Sequence, residues 1–360
     1  MWNFAKYLSK TFLFAWFTVV FGFLFLIGLM DSLAISGEIM ANDGSFTDTF
    51  RYMYYRAPVI FDRIFVFTLV VAILLTFVKL IRQHELVALL GFGISVPKQI
   101  GLMIPSVFLA SLASITLINT AMPPAVRALQ AWGIGEYKVK NVTEDNPLWM
   151  EDAKLIVRAS ARSNMTTLAN LEFFNRNNTG QVTSIMWAER AVYANQGWTL
   201  SGVQTLIIDG ANGEPRQAKR DAGNKVWTTR QTPETIARLA AEPRDLALSD
   251  MKNFQTKGKS GSKPSFAYAF WYWHRITRPL AALILLICAV PMMQRTGRED
   301  TGDKALMLGI IMGFVYLIID GAMATFAASG AIAPLWAISM PLVVFGFGGV
   351  YMCLKTESLK

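Results

Sequence analysis

The stretch TFLFAWFTVVFGFLFLIGLMDSL, residues 11–33, decides the fold class. Its first charge is Asp31. An apolar run of about 20 residues, enough to cross roughly 30 Å of hydrocarbon as a helix, therefore stands near the start of the chain. Lys6 and Lys10 precede it, as they would a secretory signal. The run is longer than the apolar stretch of about 7–15 residues in a signal peptide, and no small-x-small cleavage site follows. It is expected to stay as a membrane anchor.

Working outward, five more runs have the same character: residues 59–80, 96–121, 276–293, 305–327 and 332–354. Across the whole chain of 360 residues, 53% are hydrophobic and 16% charged, against about 25% charged in ordinary soluble domains. That balance excludes a soluble globule, a disordered chain, collagen and a coiled coil. The excess of 34 basic over 25 acidic residues, +9 in all, reads in a membrane protein as interfacial anchors rather than as a nucleic-acid footprint. Cys288 and Cys353 both lie in apolar runs, which argues against a disulfide framework or a thiolate metal site.

Short loops set the orientation. With the N-terminus in the cytoplasm, that side holds Lys6, Lys10, Lys79, Arg82, Lys98, Arg295, Arg298, Lys304, Lys355 and Lys360. The other side holds Arg51, Arg56 and Arg63 in the first loop. Both termini are predicted inside. The polar stretch 123–275, with 20 basic and 14 acidic residues, then falls outside the cytoplasm, and long domains translocate whatever their charge.

This insert reads mainly as β. Strands are expected at 154–158, 171–176, 181–191 and 198–208, with Asn177 to Gly180, Gly197 and Asp209-Gly210 as punctuation. Short strands at this spacing point to a sandwich or jelly roll. Residues 232–241 read as a helix and 257–264 as a flexible link. The domain plan is thus 1–122 with three spans, 123–275 as an all-β domain, and 276–360 with three more spans: an α-helical membrane protein carrying an inserted β domain.

Catalytic motifs fail on inspection. Gly258-Lys259-Ser260 looks like the tail of a phosphate-binding loop, but the position that must be Gly is Asn253. His84-Glu85 opens like a zinc-protease motif, yet its second histidine is replaced by Ala88, and the chain's other histidine is the distant His274. No Gly-x-Ser-x-Gly elbow occurs. No catalytic residue, metal or cofactor is expected in this chain.

The segment between the second and third runs is neither a turn nor a plain loop. It reads Lys79-Leu80-Ile81-Arg82-Gln83-His84-Glu85-Leu86-Val87-Ala88-Leu89-Leu90-Gly91-Phe92-Gly93-Ile94-Ser95. Glu85, Leu86, Ala88 and Leu89 favour a short helix over about 82–91, and Gly91 and Gly93 end it. Two readings stay open: a helix lying in the headgroup layer, or a peg docking into a partner with Glu85 as charged contact and Leu86 and Leu89 as apolar ones.

Arg82, Glu85 to Leu89 and Gly91 to Ser95 together resemble the Arg-x-x-Glu-Leu loop of the lipopolysaccharide-export permeases LptF and LptG. Trp273 to Leu280 resembles that family's approach to its fourth span, Gly309, Gly313 to Tyr316 and Asp320 its fifth, and the stretch from Gly330 to Pro341 its sixth. Asp31-Ser32-Leu33 and Pro58 resemble LptG more than LptF. The resemblance implies six spans with a periplasmic β-jelly roll between the third and fourth. It implies a place in a Gram-negative inner membrane. It implies as partners an LptF-type permease, a pair of LptB-type ATPase subunits and an LptC-type jelly-roll protein. The substrate it implies is lipopolysaccharide, drawn from the membrane and passed to a jelly-roll bridge. Arg82, His84, Glu85, Leu86, Leu89 and Gly91 are then the ATPase-coupling residues.

Here the sequence departs from the family, which places basic residues near the outer end of span one; this chain has Asp31 there and no lysine between Lys10 and Lys79. Arg51, Arg56 and Arg63 are the substitutes for holding lipid phosphates, and Asp31 is a lipid-binding candidate beside them. Leu155, Val157, Phe173 and Trp198, with Val182, Ile185 and Leu200, are candidates for a lipid-lined interior or equally for a closed core. Gly309 and Gly313 offer a small-residue face for sliding against a partner helix or for static packing. Asp320, costly inside a span, is a functional candidate. Two rivals are a lipoprotein or peptide exporter, which would have four spans, and a membrane-embedded hydrolase.

Overall fold

A computed structural model describes residues 2–41, 44–137, 144, 147–152, 155–164, 166–194, 197–208, 215–220, 225–229, 232–256, 263–296 and 302–357. Four helices come first: α1 Trp2–Ala41, α2 Phe46–Arg82, α3 Glu85–Gly91 and α4 Val96–Trp132. Eight strands follow: β1 Leu148–Asp152, β2 Leu155–Asn164, β3 Thr167–Arg176, β4 Val182–Ala194, β5 Gly197–Ser201, β6 Gln204–Ile208, β7 Pro215–Arg220 and β8 Lys225–Trp227. The chain ends with α5 Pro233–Ala240, α6 Leu248–Thr256, α7 Ser265–Ile276, α8 Arg278–Thr296, α9 Asp303–Ala328 and α10 Pro334–Glu357. Two units result, one from Met1–Met122 with Ala269–Lys360, the other Pro123–Tyr268. Both this break and the boundary expected at Arg275 fall within the aromatic helix α7.

Among the described residues, α1, α2, α4, α9 and α10 are each long and apolar enough to span a membrane, and α7 with α8, bent by 54°, passes the same test as a pair, giving six if the pair is one span. α2 is the axis of the helical unit. Its most apolar window is 72% buried, against 22% for α1 and 17% for α9. Phe65, Leu69, Ile73 and Phe77 fall at helical spacing along it and are fully enclosed. Trp16 of α1 packs edge-on against Phe65. α1 instead turns Phe14, Phe17, Phe21 and Phe25 outward, an arrangement stable only against lipid or another helix. Ser45 starts α2 with a reciprocal capping box, its hydroxyl meeting the first turn while Asp48 accepts from the Ser45 N–H. That start places Arg51, Arg56 and Arg63 on the helix rather than in a loop.

In the β unit, β1 to β5 and β8 lie side by side in one antiparallel sheet, while β6 pairs with β4 and β7. The strand expected at 198–208 is two strands in one line. Arg190 faces Ser201 and Trp187 faces Gln204 in a single register along β4, and the line breaks at Gly202, whose φ is +66°. β5 then continues the sheet to β8 and β6 continues it to β7, which divides its edge. Lys154, Asp209, Gly210 and residues 257–262, expected as strand start, turn and link, lie outside the described residues. The core joins Val157, Leu171, Phe173, Trp198, Leu200 and Trp227, with Ile236 of α5 inside it and Phe254 of α6 against it.

Candidate functional site

α3 is tied to the helical unit at both its start and its exit. Arg82, the last residue of α2, reaches Asp303 at the start of α9 at 2.8 Å. His84 turns the chain in the left-handed region, φ +59°, a costly conformation for a non-glycine residue. This reverses the backbone within two residues and frees α3 to start at Glu85. Tyr7 of α1 donates its hydroxyl to Glu85 Oε1 at 3.0 Å, and Glu85 Oε2 has no hydrogen-bond partner. At the exit, Gln99 Nε2 donates to the Ile94 carbonyl at 3.1 Å, and Gln294 of α8 donates to Gln99 Oε1 at 2.6 Å.

This geometry corrects the assignment of apolar contacts. Leu86 and Leu89 are buried within the chain, so neither side chain is open to a partner, whereas Val87 is 69% and Phe92 82% exposed. The seven-residue helix turns Leu86 and Leu89, three apart, to one face, and that face is the one taken by the chain itself. Gly91 closes α3 with open space around it.

The expected lipid-holding residues separate. Arg56 is buried, and its Nε donates to Asp31 Oδ2 at 2.7 Å, with the Tyr52 hydroxyl 3.3 Å from the same oxygen. Arg56 and Asp31 therefore serve each other as an internal pair, and Arg56 is not offered to a ligand. Arg51 is exposed, lies 4.0 Å from Asp48 and sits over the Tyr55 ring. Arg63 is exposed and has no ion-pair partner among the described residues.

A second buried layer joins α2, α7, α8 and α9. Arg278 donates to Asp62 at 2.6 Å, with side chains 3% and 1% exposed. One residue beyond the bend of the fourth span, this pair pins α8 to α2. His274 Nε2 meets Asp320 at 3.0 Å. Asp320 thus satisfies its cost inside the apolar helix through His274, which precedes the bend.

Gly309 and Gly313 face α2 of the same chain. A Cβ at Gly309 would overlap Leu74, and one at Gly313 would touch Val70. Their small-residue face is static packing, and the sliding contact with a partner helix is set aside because the face is already filled. In the β unit, Val157, Phe173, Trp198 and Leu200 belong to the closed core, with Leu155 packed on it. Val182 is 37% exposed, and Ile185 lies in the row Ile156–Phe174–Ile185–Leu206, one residue out of phase with the core row Val157–Phe173–Met186. The seven candidates thus mix two faces.

Sequence reasoning missed Tyr7, Asp62, Gln99, Arg278, Gln294 and Asp303. Polar residues inside apolar runs were the available signal for Asp62, Gln99 and Arg278; nothing local pairs Arg82 with Asp303, 221 positions away. Among the described residues no group of three or more His, Cys, Asp or Glu could hold a metal ion.

Compared with known families, residues 6–355 match the one described as lipopolysaccharide export system permease LptF/LptG. The chain belongs to the LptF/LptG family. Among curated proteins it is similar to the lipopolysaccharide export system permease protein LptG of Escherichia coli strain K12, 21% identical over 287 residues that cover 74% of this chain and 79% of that protein. The protein of the same name from E. coli O6:H1 matches equally. The family places the helical unit and its inserted sheet in one transport permease. This LptF/LptG member therefore acts as a membrane component of lipopolysaccharide export, and its buried ion pairs are framework of a permease rather than an active site.

Proposed function

We propose that this chain is the LptG-type half of an ATP-driven exporter that lifts lipopolysaccharide from the inner membrane of a Gram-negative cell. It works without a cofactor and without chemistry of its own. An LptF-type permease is its pair, two LptB-type subunits bind and hydrolyse ATP, and an LptC-type jelly-roll protein receives the lipid. Both termini and α3 face the cytoplasm, as the excess of basic residues on that side requires, and the β unit stands in the periplasm.

The observation that carries this reading is the segment 82–93. Its exposed apolar side chains, Val87 and Phe92, flank a helix anchored through Tyr7, Asp303 and the Gln99–Gln294 bridge. A push on α3 is then delivered to α1, α9 and α8 together. Glu85 holds α3 to Tyr7, its second carboxylate oxygen buried, and so positions the exposed Val87 and Phe92 for the ATPase. Each methylene moved into water costs about 0.8 kcal/mol, so a many-chained lipid needs an ATP-driven stroke and continuous apolar cover. Arg63, exposed and unpaired, is the arginine of the three that remains for a lipid phosphate.

Purification of the complex, identification of co-purifying chains and a crosslinking assay for bound lipid test this. Glu85→Ala with Phe92→Glu is expected to release the ATPase while membrane insertion persists, and Arg63→Ala to lower crosslinking to the lipid phosphate. Undiminished ATPase retention and export in the first variant would sink the reading.

A further inference from the structure

The outer face of the β unit carries a crease. The registers of three successive strand pairs put Ser160, Asn170, Glu189 and Gly202 opposite one another, and the ladder skips all four. Asn170 and Gly202 are both left-handed, φ +50° and +66°. Side-chain direction flips here: Leu168 and Leu171 are both buried, three apart, as are Ala188 and Ala191, where an even strand would alternate. The skipped pairs thus fall in one line across three strand pairs, with the register unchanged on either side.

Along that line runs a groove of about 500 Å³, a size usual for small-ligand sites. Trp187, exposed, supplies an indole face. Arg158 and Glu172, paired at 3.1 Å, lie in its row. Ser160 is 6% exposed, lines the groove and has no side-chain hydrogen bond among the described residues. Glu189 folds over Gly202, where any Cβ would overlap its side chain, and its carboxylate has no ion-pair partner among the described residues.

We propose that this groove binds a saccharide. The chemistry decides among ligand classes. Sugar hydroxyls donate and accept at once, so they match planar side chains with fixed donors and acceptors, here the Asn170 amide, the Glu189 carboxylate and the Arg158–Glu172 pair. The C–H face of a pyranose covers an indole such as Trp187. An acyl chain would leave these polar groups unmet. A phosphate would meet the free charge of Glu189, and a metal lacks a sufficient ligand set among the described residues. Resting on the reading of the chain as a glycolipid exporter, the site holds the sugar portion of the cargo outside the packed core while its lipid portion is handled elsewhere.

The test uses the full-length chain in detergent and two probes: the core oligosaccharide freed of lipid A, and a disaccharide-peptide from peptidoglycan. Saturation-transfer NMR is expected to show saturable binding of the core oligosaccharide, weakened about tenfold or more by Trp187→Ala and likewise by Glu189→Ala. Binding of the cell-wall fragment alone, with the same loss in both variants, supports the saccharide site and assigns it to the wall rather than the cargo. No saturable binding of either probe, or binding that both variants retain, overturns the proposal. Crosslinking of intact lipid through Arg63 is read separately, so its failure counts against the export reading and not against the groove. If Trp187→Ala does not fold, Glu189→Ala alone decides.

Discussion

Two Arg–Asp pairs of the helical unit have nearly the same length and opposite surroundings. Arg278–Asp62 measures 2.6 Å with side chains 3% and 1% exposed; Arg82–Asp303 measures 2.8 Å with both 60% exposed. Both link α2 to a later helix. In the first, water is excluded, and removing either partner strands a charge in an apolar interior. In the second, water and salt screen the attraction and each side chain has somewhere else to go. Distance alone therefore says little about what a pair contributes. The buried pair holds α8 to α2 just past the bend, whereas the exposed one leaves its two helices free to part.

The comparison breaks most sharply at Asp62. Asp62→Ala is expected to cost about 3–5 kcal/mol, read as a lower apparent melting point in detergent, while the double change Asp62→Leu with Arg278→Met restores most of it. A double variant no better than the single would show that charge burial is not the cause. Next, Gly309→Val forces methyls onto Leu74 and should cost about 1–3 kcal/mol; a neutral result would mean α9 is free to shift against α2 after all. Tyr7→Phe removes one half-buried hydrogen bond to Glu85 and should change stability by about 0.5–1.5 kcal/mol, with faster amide exchange at α3 as its local sign. Smallest of all, Arg82→Gln should stay within about 1 kcal/mol, and the wild-type difference should vanish in high salt.

Much of this was legible in the chain. Apolar runs of membrane length are a one-dimensional signal, and α1, α2, α4, α9 and α10 overlap the runs read at 11–33, 59–80, 96–121, 305–327 and 332–354. The run at 276–293 matches α8, and the aromatic α7 precedes it across a 54° bend at Thr277. Segment 82–91 declared itself through helix formers closed by glycine, and α3 begins at Glu85 because His84 turns left-handed. Which of its leucines face inward was not legible, because a seven-residue helix has too few turns to mark its own buried face. In the sheet, alternation identified strands but mixed Ile185 with Phe173, since Ile185 pairs with Phe174, one residue out of phase, and alternation alone does not say which parity of a strand faces the core.

What the sequence determined by itself is the class: spans, polar insert, and the absence of recognisable catalytic motifs, all set by hydropathy and residue order, which need no partner to be read. What only the tertiary structure decided is use. Arg56 turns from a ligand candidate into the mate of Asp31, Gly309 from a gate into a seat for Leu74, and Ser160, Asn170, Glu189 and Gly202 from scattered residues into one crease. Charge, packing and register are properties of pairs distant in the chain, and a pair exists only once the backbone has brought its members together.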